Sequence, residues 1–133
     1  MNSLLQDGIA KIAIANPAHA PYGKRAVESL NYYKLYDKIK DRLVMGENIS
    51  QTAQYAASGA ADIGIIALSL ARSPAMQQQG GKYWLIPIAS HQLMQQGYTL
   101  LQHAKGNAAA EKFSDFAGTA KAVSILRYFG LGD

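Results

Sequence analysis

The 133-residue sequence predicts an α/β fold, a mostly parallel sheet flanked by helices. Three observations carry that expectation. Short apolar runs, KIAIA at 11–15 and DIGIIA at 62–67, have the length and unbroken hydrophobicity of strands buried on both faces. Between them, 22–33 and 50–58 have helical spacing. The resulting order, strand–helix–strand–helix–strand, is that of parallel strands joined by right-handed crossovers.

Each element follows from local chemistry. The strand at 11–15 runs into Asn16-Pro17, and Pro21 suits a first helical position, where its missing N–H costs nothing. The helix at 22–33 then sets Ala26, Val27, Leu30 and Tyr33 on one face. A short second strand, 43–45, leads to Asn48, an N-cap with Gln51 three residues on, as in a capping box. The helix at 50–58 stops at Gly59, a C-terminal cap, and the third strand covers 62–67. Residues 68–72 read as a helical turn before Pro74, and the QQQGG stretch at 77–81 as flexible. Residues 83–88 and 98–102 are two further candidate strands. The end, 108–129, holds two helical segments divided near Gly118-Thr119. There is no internal repeat and no domain-sized linker.

Composition narrows the function classes. With 49% apolar and 17% charged residues, the chain has the means for a packed core. No apolar run approaches the roughly 20 residues of a membrane-spanning helix. Residues 1–8 lack the basic start and apolar centre of a secretory signal. The net charge of +4 is spread over scattered residues such as Lys11, Lys24, Arg42, Arg72 and Lys82, the pattern of a solvated surface and not of a nucleic-acid face. The absence of cysteine excludes disulfides and thiolate metal sites.

Catalytic patterns are poor. His19, His91 and His103 are far apart, without the spacing of metal ligands, so no metal is expected. Ser50 and Ser69 lack a nucleophile-elbow setting, and the glycine patterns that cradle nucleotides are absent. A small enzyme using His19 is the weakest reading; the plainer one makes His19 a solvated loop residue, and no catalytic residue is assigned.

Two junctions carry more. Behind Pro21, the amides of Tyr22 and Gly23 open a helix; behind Asn48, the amide of Ile49 opens another. Such amides lack intrahelical partners and sit at the positive end of the helix dipole, which suits an anion. Gly23 has no side chain to block approach. In a parallel sheet both junctions leave by the carboxyl edge, where ligands bind. Ala67 and Ser69 end the third strand at that edge and are small enough to leave room. Glu47, itself an anion, stands next to the second junction. The plain alternative is two ordinary turns with water on their amides.

Taken together, "KIAIANPAHAPYG", "LVMGENISQTAQYAASGAADIGIIALS", "YWLIP" and "EKFSDFAGTAKAVSILRYFG" resemble the ordered blocks of the molybdate-binding proteins of bacterial ABC importers, over about residues 9–131. The resemblance implies a single lobe of a two-lobe, type II periplasmic binding protein. Residues 1–103 would be the oxyanion-binding second lobe with a hinge strand. Residues 104–133 would be a C-terminal helical tail that in the family packs on the first lobe. It further implies a non-enzyme without cofactor, binding molybdate or tungstate through the backbone amides of Tyr22 and Ile49, with Gly23, Asn48 and Ala67 as neighbours. Some relatives place a tyrosine hydroxyl where this chain has Ala67. The implied partners are a tetrahedral oxyanion and a membrane permease, not nucleic acid, and the implied location is periplasmic or extracytoplasmic, with the signal outside this chain. Half of the donors belong to the first lobe, so weak binding by this chain alone is expected. The alternative is the effector-sensing domain of a transcription regulator on the same architecture. Phe113, Phe116, Ala117, Val123, Leu126 and Phe129 give the tail an apolar face, and a homo-oligomer packed through 107–131 is expected.

Overall fold

The computed structural model describes residues 1–131. They form two compact units, Met1–Met94 and a second that begins at Gln95. Residues 132–133, the end of the expected tail, lie outside the described residues.

The first unit is built on a three-stranded parallel sheet. Its strands are β1 (Ile12–Ala15), β2 (Leu43–Gly46) and β3 (Ile63–Gly64), in the order β2-β1-β3. Ile12 pairs with Leu43 and Ala15 with Gly46 on one side; Ile12 pairs with Ile63 and Ala13 with Gly64 on the other. The central strand is buried along its whole length, as its unbroken apolar run requires. Around the sheet lie α1 (Pro21–Tyr32), α2 (Tyr36–Ile39), α3 (Ile49–Ala57), α4 (Leu68–Ala71) and α5 (Pro74–Gln78).

The two faces of the sheet differ in bulk. Ile12 packs with Leu4, Leu30, Leu35 and Ile39, and with the partly buried Leu43, Ile63 and Ile65. Ala13, Ala15, Gly46 and Gly64 alternate onto the opposite face. There α3 lies so close that a Cβ on Gly46 would come within 2.6 Å of Thr52 Oγ1, and one on Gly64 within 2.9 Å of the Ala56 methyl. The large side chains thus make the core with α1 and α2, and the small ones seat α3.

Several expectations need correction. Residues 83–88 and 98–102 are not strands: the sheet has three, and Tyr83, Trp84, Leu85, Tyr98, Leu100 and Leu101 are exposed. An apolar run becomes a strand only where a neighbouring edge accepts its hydrogen bonds, and no such edge meets these among the described residues. The third strand is shorter than 62–67, although Ile65 N still donates to Ala13 O at 2.9 Å. The QQQGG stretch begins inside α5, which starts by a plain rule: Ser73 accepts from the Met76 amide and Pro74 takes the first turn. The helix α2 has no counterpart in the sequence pattern. It follows a reversal in which Lys34 takes a left-handed φ of 55° and Leu35 N reaches back to Leu30 O at 2.8 Å. Glycine normally marks that cap.

Asp62 anchors the amino end of the sheet. Its Oδ2 accepts the amides of Ala10 and Lys11, both at 2.8 Å. These bonds, Lys11 first, hold its carboxyl below the ordinary aspartate value. A carboxyl depressed in the folded state stabilises fully above its unfolded pKa and loses that contribution as pH falls through the folded value. Asp62→Asn is therefore expected to lower the melting temperature at neutral pH and to flatten its fall between about pH 5 and about pH 2. Melts followed by circular dichroism across that range check it; parallel curves for both proteins would remove Asp62 from the acid response.

In the second unit, α6 (Ala108–Ala117) and α7 (Ala120–Tyr128) meet the expected helical segments and their division. Asn107 Oδ1 caps α6 on the amides of Ala109 and Ala110, and Thr119 Oγ1 caps α7 on that of Ala122. Phe113, Phe116, Ile125 and Tyr128 are exposed. Among the described residues no helix is long and apolar enough to cross a membrane.

Candidate functional site

The site begins where β1 and β2 end. Ala15 and Gly46 are paired, and Asn16 N donates to Gly46 O at 2.8 Å, so the two loops leave the carboxyl edge as neighbours. The chain after β3 follows the other side of β1.

The first loop is braced by Asn16. Its Oδ1 accepts from Ala18 N at 3.0 Å, and its carbonyl accepts from His19 N at 3.3 Å and Ala20 N at 2.8 Å. Ala20 is the N-cap of α1 and has no side-chain oxygen to offer. Pro21 follows, and Lys24 is the first amide to reach back, to Ala20 O at 3.2 Å. The amides of Tyr22 and Gly23 are left without intrahelical acceptors and without a capping side chain. Gly23 serves a purpose other than the expected open approach: a Cβ there would stand 2.0 Å from Ala15 O. Its lack of a side chain lets α1 touch the end of β1. Burial pushes the Tyr22 hydroxyl above the ordinary tyrosine value, so that group stays neutral.

The second loop braces itself as well. Asn48, extended at φ −149° and ψ 173°, accepts the Gln51 amide on Oδ1 at 2.9 Å. Gln51 Oε1 returns to Glu47 N at 2.7 Å, one residue before the cap. Thr52 N and Oγ1 both donate to Asn48 O, at 3.1 and 2.9 Å. The cap satisfies the third amide of α3 and leaves those of Ile49 and Ser50 to other acceptors. Ala67 is buried and starts α4, its carbonyl accepting from Leu70 N and Ala71 N at 3.0 and 3.1 Å.

Tyr22 and Gly23 thus share one helix start, Asn48 and Ile49 the neighbouring one, and Ala67 follows β3 beyond the central strand. Sequence reasoning missed the pair between the loops. His19 Nε2 lies 2.9 Å from Glu47 O and 3.4 Å from Glu47 Oε2. Only the strand register brings these residues together, and nothing local to either predicts it. Neither loop contains lysine or arginine. Among the described residues no group of three or more His, Cys, Asp or Glu could hold a metal ion.

Such an edge offers neutral backbone donors and the positive ends of two helices, which suits an anion. This parallel α/β unit matches one lobe of a periplasmic binding protein. The chain belongs to the bacterial extracellular solute-binding protein family, whose sequence pattern it matches over residues 1–132. It is 33% identical over 128 residues to the molybdate-binding protein ModA of Rhodobacter capsulatus, covering 96% of this chain and 49% of that protein. It is also 33% identical over 129 residues to ModA of Azotobacter vinelandii, covering 97% and 51%. The solved periplasmic molybdate-binding protein of A. vinelandii superposes with a TM-score of 0.73 at 29% identity, covering 96% of this chain and 55% of that one. This chain spans about half the length of the curated relatives it matches. Those relatives are named for binding and not for catalysis, and nothing among them supports the effector-sensing alternative.

Proposed function

We propose that this chain is the oxyanion-carrying lobe of an extracytoplasmic receptor that binds molybdate or tungstate and passes it to the membrane permease of an ABC importer. The observation that carries this reading is the pair of neighbouring helix starts, at Tyr22 and at Ile49, in a chain similar to molybdate-binding proteins along nearly its whole length. The backbone amides of Tyr22 and Ile49 are the oxyanion donors, and Gly23, Asn48 and Ala67 shape the surroundings. A dianion held by oriented amides needs no lysine, and selection then falls to the size of the cleft. In this reading residues 1–103 carry the half-site and hinge. Residues 104–133 form the tail that packs on a complementary lobe or, without one, on a second copy, because exposed Phe113 and Phe116 are seldom left in water. The protein is a carrier and not an enzyme, and its place is outside the cytoplasmic membrane.

Titration with molybdate, followed by amide NMR and calorimetry, tests this. The Tyr22 and Ile49 amides are expected to shift together, with a dissociation constant weaker than about 1 µM. Charge-assisted hydrogen bonds contribute about 1.5–3 kcal/mol each, so a lobe lacking its partner's donors loses several powers of ten in affinity. Unmoved amides at about 1 mM molybdate would refute the site. Light scattering on the same sample tests the oligomer; a constant 14.3 kDa would exclude it.

A further inference from the structure

We propose that His19 is a positioning residue that sets the spacing between the two helix starts. The inference deepens the reading above and takes its ligand from it, but the geometry stands on the loops alone. Each loop has its own brace, Asn16 in the first and the Asn48–Gln51 pair in the second. Neither brace reaches across. The strands are last joined at Asn16 N to Gly46 O. Beyond that bond, among the described contacts, the His19 side chain is what ties one loop to the other.

The chemistry of the contact is specific. Both groups within reach of Nε2, the Glu47 carbonyl and its carboxylate, are acceptors. The proton therefore sits on Nε2, in the neutral ring as in the charged one. The ring is half exposed and the carboxylate mostly so, at 50% and 76%, and a charge pair that wet contributes little. The contact matters through geometry. The Glu47 carbonyl shares a peptide plane with the Asn48 nitrogen, so fixing it orients Asn48, and the bonds of Asn48 to Gln51 and Thr52 carry that placement into the first turn of α3, where the Ile49 amide lies. His19 itself lies three residues before Tyr22. One imidazole thus links the loop that leads into the Tyr22 amide to the loop that leads into the Ile49 amide.

Three measurements on the full chain decide it. In the ligand-free wild type, nitrogen NMR of the neutral His19 ring is expected to show Nε2 protonated; an Nδ1–H tautomer overturns the proposal. Residual dipolar couplings of the Tyr22 and Ile49 amides, without ligand, are expected to change in His19→Ala and to return in His19→Gln, whose amide nitrogen can reach the Glu47 carbonyl. Identical couplings in all three proteins overturn it. With molybdate as probe, His19→Ala is expected to bind about tenfold more weakly and His19→Gln within about twofold of wild type; equal affinity of all three overturns it too. If the wild type does not respond to molybdate, the functional reading fails, and the tautomer and couplings still judge His19.

Discussion

Gly23→Ala is expected to destabilise the first unit by about 3 kcal/mol, near the top of the range for overpacked sites. The added methyl would stand 2.0 Å from Ala15 O and 2.7 Å from Ala15 C, and both are backbone atoms of the buried central strand. No rotamer change relieves a clash with a main chain. Either α1 moves away from β1, opening the core around Leu30, or β1 gives up its register with β2. For a unit of this size the melting temperature should fall by about 12–24 °C, measured by circular dichroism. Gly81→Ala is the matched control: nothing lies within 4 Å of its added Cβ and its φ is ordinary, so its effect should stay within about 0.5 kcal/mol. A loss under about 2 °C in Gly23→Ala would show that α1 tolerates displacement from the strand end.

Ile49→Pro is expected to raise the dissociation constant for molybdate by about 10- to 100-fold while the protein stays folded. Proline at a first helical position deletes one N–H that no helical carbonyl claims. The residue before a proline must be extended, and Asn48 already is. Its cap on the Gln51 amide and its carbonyl bonds to Thr52 do not involve the Ile49 nitrogen. The same device occurs naturally at Pro21. Ile49→Val trims the side chain and keeps the amide, so it should bind like wild type. Equal affinity for the proline and valine variants would mean that the Ile49 amide is not a donor.

What was legible in the sequence was local. The buried strand at 12–15, the Asn48 cap, proline at the start of α1, and the division of the last two helices each depend on neighbours a few residues apart. What escaped depends on distant partners. The lack of strands at 83–88 and 98–102 reflects a missing edge, which apolar content does not report. The reversal at Lys34 uses a residue type that gives no warning. Gly23 reads as a turn or ligand glycine until Ala15 is seen beneath it. His19 and Glu47 are 28 positions apart and meet only through the register of Ala15 with Gly46. The start of α5 is different: Ser73-Pro74 was readable, and the glutamines and glycines after it masked the signal.

The strand order β2-β1-β3 has a consequence for synthesis on the ribosome. The most apolar strand emerges first, and both of its neighbours are encoded downstream, β3 about 50 residues later. At about 10 residues per second, β1 spends about 5 s with at least one edge unpaired. During that interval Ile12 and Ile14 present a short sticky ribbon to any other nascent chain. The four residues Ile12–Ala15, which end fully buried in the finished protein, are therefore the ones most exposed to wrong partners while β3 is still being made.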